Sequence, residues 1–190
     1  MKAAAWIIIA HQAVFQTMFI LKNTVLARRT GQQIRGKNKE VNAAIAFFTL
    51  FISVSLLIGM VDDPVGEVRF FSRSAALGIG LGLLALNLAV SAASLIHLKE
   101  SWRVGIPEDQ PTVLITSGIY RFTRNPYFVS YLLMFAAYAV ILQNLILFGL
   151  AVVAFCLIHK MILAEEGYLL SVHGDRYRAY KERVARYLLI

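Results

Sequence analysis

Residues 112–131, TVLITSGIYRFTRNPYFVSY, lead from a polar connection into the first of two apolar runs near the end of the chain. The runs cover residues 128–142 and 145–158, and only Gln143 and Asn144 separate them. Each run is about 15 residues, or ~22 Å of helix, which is too short to cross a bilayer unless the helix extends into its polar flank. The pattern predicts an antiparallel helical hairpin that turns at residues 143–144.

The predicted hairpin brings two distant polar segments to the same height. Asn125 lies 18 residues before the first residue of the turn, and Glu165 lies 21 residues after the second. Ionisable groups at the end of a membrane helix are costly and need partners or water. For the pair Glu165 and Glu166, we expect those partners to be Arg121 and Arg124, or a bound cation.

The composition is that of an integral membrane protein. The 190-residue chain is 58% hydrophobic and 16% charged, with a mean hydropathy of +0.65, which is far too apolar for a soluble domain of this size. The net charge of +8 is explained by lysine and arginine at an anionic inner leaflet rather than by nucleic-acid binding. The single cysteine, Cys156, excludes an internal disulfide and is expected to pack as a small apolar residue.

Three further apolar segments precede the hairpin, at residues 3–27, 41–61 and 74–96. We therefore predict an all-α integral membrane bundle of about five transmembrane helices with a cytoplasmic C-terminal cofactor pocket. Residues 1–97 would form three N-terminal transmembrane helices. Residues 98–190 would form a catalytic half made of a cytoplasmic connection, the hairpin and a C-terminal amphipathic helix.

Polar residues inside these spans have two interpretations. His11 and Gln12 either line a substrate path or lie near the outer interface, since the first helix begins only a few residues earlier. Asn87 is expected to form a hydrogen bond between helices rather than to bind a ligand.

Small residues mark one face of the third span. Ser74, Gly78 and Gly82 follow each other at intervals of four, which predicts close approach of a neighbouring helix. The same face is a candidate interface for a homodimer. The glycines are not expected to bind phosphate, because they lie within a membrane span and no strand precedes them.

The distribution of basic residues predicts the orientation. The segments 28–40, 98–127 and 159–190 carry fifteen of the nineteen lysines and arginines. By the positive-inside rule these segments are cytoplasmic, with the N-terminus outside. We expect a multi-pass protein of a bacterial inner membrane, with the 112–125 segment and Glu165 both on the cytoplasmic side.

The tail from residue 174 to 190 is a further helix candidate, with Asp175 as its cap. Its tyrosines recur at helical spacing among arginines and lysines. Such a helix can lie on the inner leaflet or close over the pocket, and the pattern alone leaves both possibilities open.

The sequence lacks the residue patterns that a metal site or a hydrolase would require. The four histidines are scattered, and His159 and His173 fit no zinc spacing, so no metal site is predicted. No nucleophile elbow or Ser-His-Asp order points to a hydrolase. What remains is a site of acids, an amide and aromatic rings, suited to a polar cationic ligand beside lipid.

Two segments carry a family resemblance: SGIYRFTRNPYFVSYLL, from residue 117, and EEGYLLSVHGDRYRAYKERVARYL, from residue 165. They resemble the C-terminal signature of the isoprenylcysteine carboxyl methyltransferase and phospholipid methyltransferase superfamily, membrane enzymes that use S-adenosylmethionine. Four ordered elements match, at residues 118–120, 124–128, 165–166 and 174–180. The resemblance covers about the last ninety residues, and the first half matches only in having membrane spans.

The resemblance implies an S-adenosylmethionine-dependent methyltransferase acting on a lipophilic or small acceptor. That acceptor would be a prenylcysteine-like carboxyl, a lipid amine or a thiol. The alternative is a non-enzymatic transporter or assembly factor on the same fold. The cofactor-binding residues implied are Thr112, Val113, Leu114, Ile115, Gly118, Tyr120, Asn125, Pro126, Tyr127, Phe128 and Glu165, and the catalytic ones are Arg124, Asn125, Glu165 and Glu166.

Departures from the family pattern concern the substrate. Tyr127 directly follows the proline, and Phe128 stands where the family usually has tyrosine. Asn125 replaces the histidine of the prenylcysteine branch, as in the phospholipid branch. Met161 stands where prenylcysteine enzymes carry an arginine proposed to hold the carboxylate, and Lys160 beside it is turned by ~100° on a helix. Met161 and Lys160 are the predicted substrate residues, and a lipid amine or thiol gains weight over a carboxyl.

Overall fold

The computed structural model describes residues 3–31, 34, 39–104 and 113–187. Within these ranges the chain forms six α-helices and two short 3-10 turns, at Lys99–Ser101 and Gly118–Arg121. The helices are α1 Ala3–Thr30, α2 Lys39–Met60, α3 Arg73–His97, α4 Pro126–Leu142, α5 Leu145–His173 and α6 Asp175–Arg183. The predicted all-α membrane bundle is confirmed.

Four of the described helices, α1, α2, α3 and α5, are long and apolar enough to cross a membrane, and α4 is a shorter apolar helix of 17 residues. The predicted first three spans agree with α1 to α3 to within a few residues. The protein is therefore a multi-pass integral membrane protein. The orientation of the protein in the membrane, the division of the chain at residue 97 and the homodimer remain predictions.

The fifth helix is longer than the apolar run that predicted it. It covers 29 residues and ends at His173, followed by Gly174 as its C-cap with a φ of 51°. The predicted run stopped at residue 158, where polar residues begin. The polar residues that follow are compatible with helix, and the first residue with a left-handed backbone is Gly174, so α5 continues through both glutamates.

The hairpin turn is held from outside by the loop between α2 and α3. Gln143 has a left-handed backbone with φ of 43°, and Asn144 caps α5. The backbone N–H of Val68 donates to the Gln143 carbonyl at 2.8 Å, and the N–H of Phe71 donates to Gln143 Oε1 at 2.8 Å. The side chain of Asn144 in turn donates to the Val65 carbonyl at 2.9 Å. These bonds fix where the two hairpin helices begin and end.

The third helix packs against α4 through Gly80, not through the predicted small-residue face. A Cβ atom on Gly80 would overlap the side chain of Ile141 on α4. At Gly78 and Gly82 nothing lies within 4 Å of an added Cβ, and Ser74 is exposed. The prediction that this face receives a neighbouring helix is wrong within the chain, because α4 lies on the other side of α3.

Polar residues of the first and third spans meet inside the bundle. Asn87 donates from Nδ2 to the Ser130 carbonyl of α4 at 2.6 Å, which confirms its predicted role between helices. His11 is 6% exposed and hydrogen-bonds to Asn87 Oδ1 at 2.9 Å and to the Tyr138 hydroxyl at 2.7 Å. His11 is thus buried in the interior of the bundle.

Replacing Gly80 by alanine tests the α3–α4 contact. The new methyl group would overlap Ile141 and approach the Ala137 carbonyl oxygen to 3.3 Å. We expect Gly80→Ala to lower the free energy of unfolding by about 1–3 kcal/mol, the usual cost of overpacking. The measurement is unfolding in mild detergent. Gly78→Ala on the same helix is the control and should leave stability unchanged or slightly raised; equal losses in both variants would contradict the packing described.

Candidate functional site

A buried ion cluster joins α5 to the segments on either side of the hairpin. Arg124 Nη2 lies 2.9 Å from Glu166 Oε1, and Arg186 Nη2 lies 2.9 Å from Glu166 Oε2. A second bond runs from Arg186 Nε to Glu166 Oε1 at 3.1 Å. The side chains of Arg124 and Glu166 are only 6% and 7% exposed. Both carboxylate oxygens are therefore committed to arginines.

The chain after α6 returns along the beginning of α4. The backbone N–H of Arg124 donates to the Ala185 carbonyl at 2.9 Å. Thr123 Oγ1 and Asn125 Nδ2 both donate to the Arg186 carbonyl, at 3.0 Å and 3.2 Å. The non-helical segment 184–187 is thus hydrogen-bonded to residues 123–125 just before α4, and these bonds place Arg186 beside Glu166.

The sixth helix packs beside the site, and its Tyr177 and Tyr180 line the cavity. It starts after Gly174, and Asp175 does not cap it as predicted; its carboxylate instead pairs with Arg178 at 2.6 Å. The reason is the left-handed backbone at Gly174, which occupies the cap position and has no side chain to accept a bond. The observed helix is also shorter than predicted, because residues 184–187 are not helical; residues 188–190 lie outside the described chain.

Three tyrosines surround the polar end of the site. The Tyr180 hydroxyl donates to the Tyr120 carbonyl at 2.6 Å, which fastens α6 to the Gly118–Arg121 turn. The Tyr177 hydroxyl is buried and has no hydrogen-bond partner in the part of the chain that the structure describes. Burial raises the pKa of Tyr180 to about 12 and also raises the pKa of Tyr120 and Tyr177. All three hydroxyls are therefore neutral near pH 7.

A cavity of about 680 Å³ lies beside this cluster. Its volume is within the ~300–1,000 Å³ typical of small-molecule sites. One end is polar and includes Tyr120, Tyr177 and Glu165, while the other is apolar and lies between α1, α2, α4 and α5. The apolar end is lined by Phe19, Phe47, Phe48, Phe135, Ala154, Leu157 and Ile158.

The two adjacent glutamates have different environments. Glu165 lines the cavity and is half-buried, with no hydrogen bond or ion pair to any residue of the described ranges. Glu166, one position on, points about 100° away on the helix and is neutralised by Arg124 and Arg186. Glu165 is thus the carboxylate that can bind a ligand.

Most of the predicted site residues lie around this one cavity. Gly118 does not line it: its φ is 64°, and it packs against the ring of His97, where a Cβ would come within 2.5 Å of the ring. Glu166 stands behind the cavity wall, and Thr112 is outside the described residues. Arg121 packs over the Phe122 ring at 4.6 Å instead of pairing with a glutamate. The residues on the wall are Val113, Leu114, Ile115, Tyr120, Arg124, Asn125, Pro126, Tyr127, Phe128, Lys160, Met161 and Glu165.

Sequence reasoning missed several members of the site. Arg186 stands in a tail with several other basic residues, and nothing in its spacing distinguishes it. Phe47 and Phe48 belong to an uncharged span, where every face looks alike in the sequence. Trp102 packs edge-on against Tyr127 with ring centroids 4.7 Å apart, and its indole N–H donates to Asn23 at 2.7 Å. Of these residues, only Trp102 could have been noticed in the sequence, because a tryptophan is unusual within a polar connection.

The described residues hold no group of three or more histidine, cysteine, aspartate or glutamate side chains that could bind a metal ion. The charged side chains on the cavity wall include Glu165, Lys160 and Arg124, and the charge of Arg124 is balanced by Glu166.

These features define a helical membrane protein with a cavity that is polar at one end and apolar at the other. The profile of the family described as phospholipid methyltransferase matches residues 75–176, more than half of the chain. The chain belongs to this family and is a membrane methyltransferase. It is also 23% identical, over 205 residues, to Protein-S-isoprenylcysteine O-methyltransferase of Schizosaccharomyces pombe, with 94% of this chain and 84% of that protein covered.

Removing the charge of Glu166 tests the ion cluster. Glu166→Gln leaves Arg124 buried without a counter-charge, and breaking a buried pair in this way costs about 3–5 kcal/mol. We expect a loss of that order in the free energy of unfolding in detergent. The control is Asp175→Asn, since the Asp175–Arg178 pair is largely exposed and should contribute less than about 1 kcal/mol. Similar losses in the two variants would show that the cluster does not stabilise the fold.

Proposed function

We propose that the protein transfers a methyl group from S-adenosylmethionine to a lipophilic acceptor that enters from the bilayer. The observation that carries this proposal is the shape of the cavity. One end offers an unpaired carboxylate and tyrosines, and the other offers an apolar chamber between membrane helices. A polar cationic donor and a lipid acceptor could thus occupy the two ends of one cavity.

The polar end fits the cofactor chemically. Glu165 can accept charge-assisted hydrogen bonds from an ammonium group or ribose hydroxyls. Tyr177 has a buried hydroxyl that a bound ligand can satisfy. Tyr120 and Tyr127 also line the cavity, and an aromatic ring there can stabilise a cation by cation–π attraction. S-adenosylmethionine, when bound, supplies a methyl group on a positively charged sulfur.

The residues of this chain position and shield the reactants rather than react themselves. Glu166 neutralises Arg124, so that the arginine on the cavity wall does not repel a cationic ligand. The bond from Tyr180 to the Tyr120 carbonyl holds α6 over the polar end. Closure by α6 excludes water, which strengthens the electrostatic interactions within the site. Holding the two reactants in the correct orientation within one cavity lowers the barrier to the proposed methyl transfer.

The apolar end supports a lipid acceptor. Several of its lining residues on α2 and α5 are exposed, including Ile45, Thr49 and Lys160, which places an opening between these two helices. The matched family and the similar protein of Schizosaccharomyces pombe are named for lipid-bearing substrates, a phospholipid and an isoprenylcysteine. Met161, on the same wall, has no charge to hold a carboxylate, so we favour a lipid amine or thiol as the acceptor.

Calorimetric titration with S-adenosylmethionine tests the role of Glu165. We expect the parent protein in detergent to bind the cofactor and Glu165→Gln to raise its Kd about 10- to 100-fold, the effect of losing a charged hydrogen bond of about 1.5–3 kcal/mol. Glu182→Gln, an exposed carboxylate of α6, is the matched control and should bind as the parent does. An unchanged Kd in Glu165→Gln would exclude the proposed contact.

Transfer of a labelled methyl group identifies the acceptor class. Membranes containing the protein would be incubated with labelled cofactor and, in separate reactions, phosphatidylethanolamine, dodecanethiol and a farnesylated cysteine. We expect stable label on the amine or the thiol, because Met161 offers no cation to a carboxylate. Label found solely as a base-labile methyl ester would reverse this preference, and no transfer to any of the three would count against the proposed reaction.

A further inference from the structure

A chain of buried hydrogen bonds runs through the bundle and ends at the cavity wall. It begins at the Ser130 carbonyl of α4, to which Asn87 Nδ2 donates at 2.6 Å. Since the amide nitrogen of Asn87 faces this carbonyl, Asn87 Oδ1 is the acceptor for His11 Nε2–H at 2.9 Å. His11 Nδ1 is then the acceptor for the Tyr138 hydroxyl at 2.7 Å. The backbone carbonyl thereby sets the direction of every bond that follows.

The second half of the chain fixes the orientation of two glutamines on α1. The Tyr138 hydroxyl donates to His11, and its oxygen accepts a hydrogen bond from Gln12 Nε2 at 2.9 Å. The same nitrogen also faces the sulfur of Met134 at 3.2 Å. Gln12 Oε1 is therefore the acceptor for Gln16 Nε2 at 3.3 Å, one helical turn along α1. The amide of Gln16 is oriented with its nitrogen toward Gln12.

This orientation leaves the carbonyl oxygen of Gln16 available to a ligand. Gln16 lines the cavity together with Phe19 and Phe48, and its Oε1 has no hydrogen-bond partner among the residues the structure describes. Nearby Thr49, on the same wall, uses its hydroxyl on the Ile45 carbonyl at 2.9 Å. A polar atom without a partner in apolar surroundings is costly, and polar residues within membrane helices mark functional sites.

We propose that Gln16 is a specificity-determining residue, whose side-chain carbonyl accepts a hydrogen bond from an N–H or O–H group of the lipophilic acceptor. This inference rests on the proposed function, which assigns the apolar end of the cavity to that acceptor. An amide oxygen attracts amide, amine and hydroxyl donors and repels a carboxylate. Gln16 therefore selects acceptors that carry a donor within their apolar part, while Glu165 acts at the other end of the cavity.

Two probes that differ by one N–H group test the proposal directly. N-dodecylacetamide has the donor, and N-dodecyl-N-methylacetamide replaces it with a methyl group. Binding of each labelled probe would be measured with the full chain in lipid nanodiscs, without cofactor. We expect the parent protein to bind the N–H probe about three- to tenfold more tightly, the effect of one neutral hydrogen bond. Gln16→Met should reduce the ratio of the two affinities to near one.

The two probes also differ in hydrophobicity. This difference affects every variant equally, so it cancels when the ratio of the two probe affinities is compared between variants. Thr17→Met, on the exposed side of α1, is the matched control and should keep the parent ratio. Gln16→Leu is a second variant with the same expected loss, for use if Gln16→Met unfolds. A parent ratio of one, a ratio unchanged in both Gln16 variants, or no binding of either probe would overturn the proposal. Because the assay contains no cofactor, failure of methyl transfer or of cofactor binding would be seen separately.

Discussion

The carboxylate of Glu166, shared between Arg124 and Arg186, is the interaction on which the polar end of this protein depends. Arg124 precedes α4, Glu166 lies on α5, and Arg186 follows α6, so one buried side chain ties three separate segments together. A buried ion pair is weak evidence for net stability, but removing one member leaves an uncompensated charge. The cluster therefore specifies how the tail must lie, and the tail in turn places Tyr177 and Tyr180 on the cavity.

The cluster also separates the tasks of two neighbouring glutamates. Glu166 satisfies both arginines, which leaves Glu165 as the carboxylate facing the cavity. Glu165 presents its carboxyl group to a cationic ligand in a cavity partly shielded from water, where electrostatic interactions are stronger than in bulk solvent. At the opposite end of the cavity, Gln16 presents a neutral oxygen among aromatic rings, which suits a neutral donor on a lipid. The two ends thus differ in the chemistry that they can bind.

The positions of the helices could be predicted from the sequence. The predictions were wrong where the end or the cap of a helix depends on backbone geometry. Residues 41–61 without a charge predict a span, because the bilayer requires about 20 apolar residues in a helix. The end of α5 was misjudged, since its polar second half remains helical until the left-handed backbone of Gly174. The cap assigned to Asp175 was wrong for the same reason. The spacing of Gly78 and Gly82 wrongly predicted a close helix contact on that face, and the close contact falls at Gly80 instead.

The sequence by itself determined the membrane environment, the hairpin and its turn, the family, and the set of residues from which the site is built. These features depend on local composition and on spacing along the chain, which a sequence displays directly. Only the tertiary structure decided that Arg186 and not Arg121 pairs with a glutamate, that Glu165 rather than Glu166 faces the cavity, and that Gln16 ends a chain of hydrogen bonds. Each of these depends on the rotation of a helix about its axis and on contacts between segments far apart in the chain, and in uniformly apolar helices the sequence pattern does not specify either.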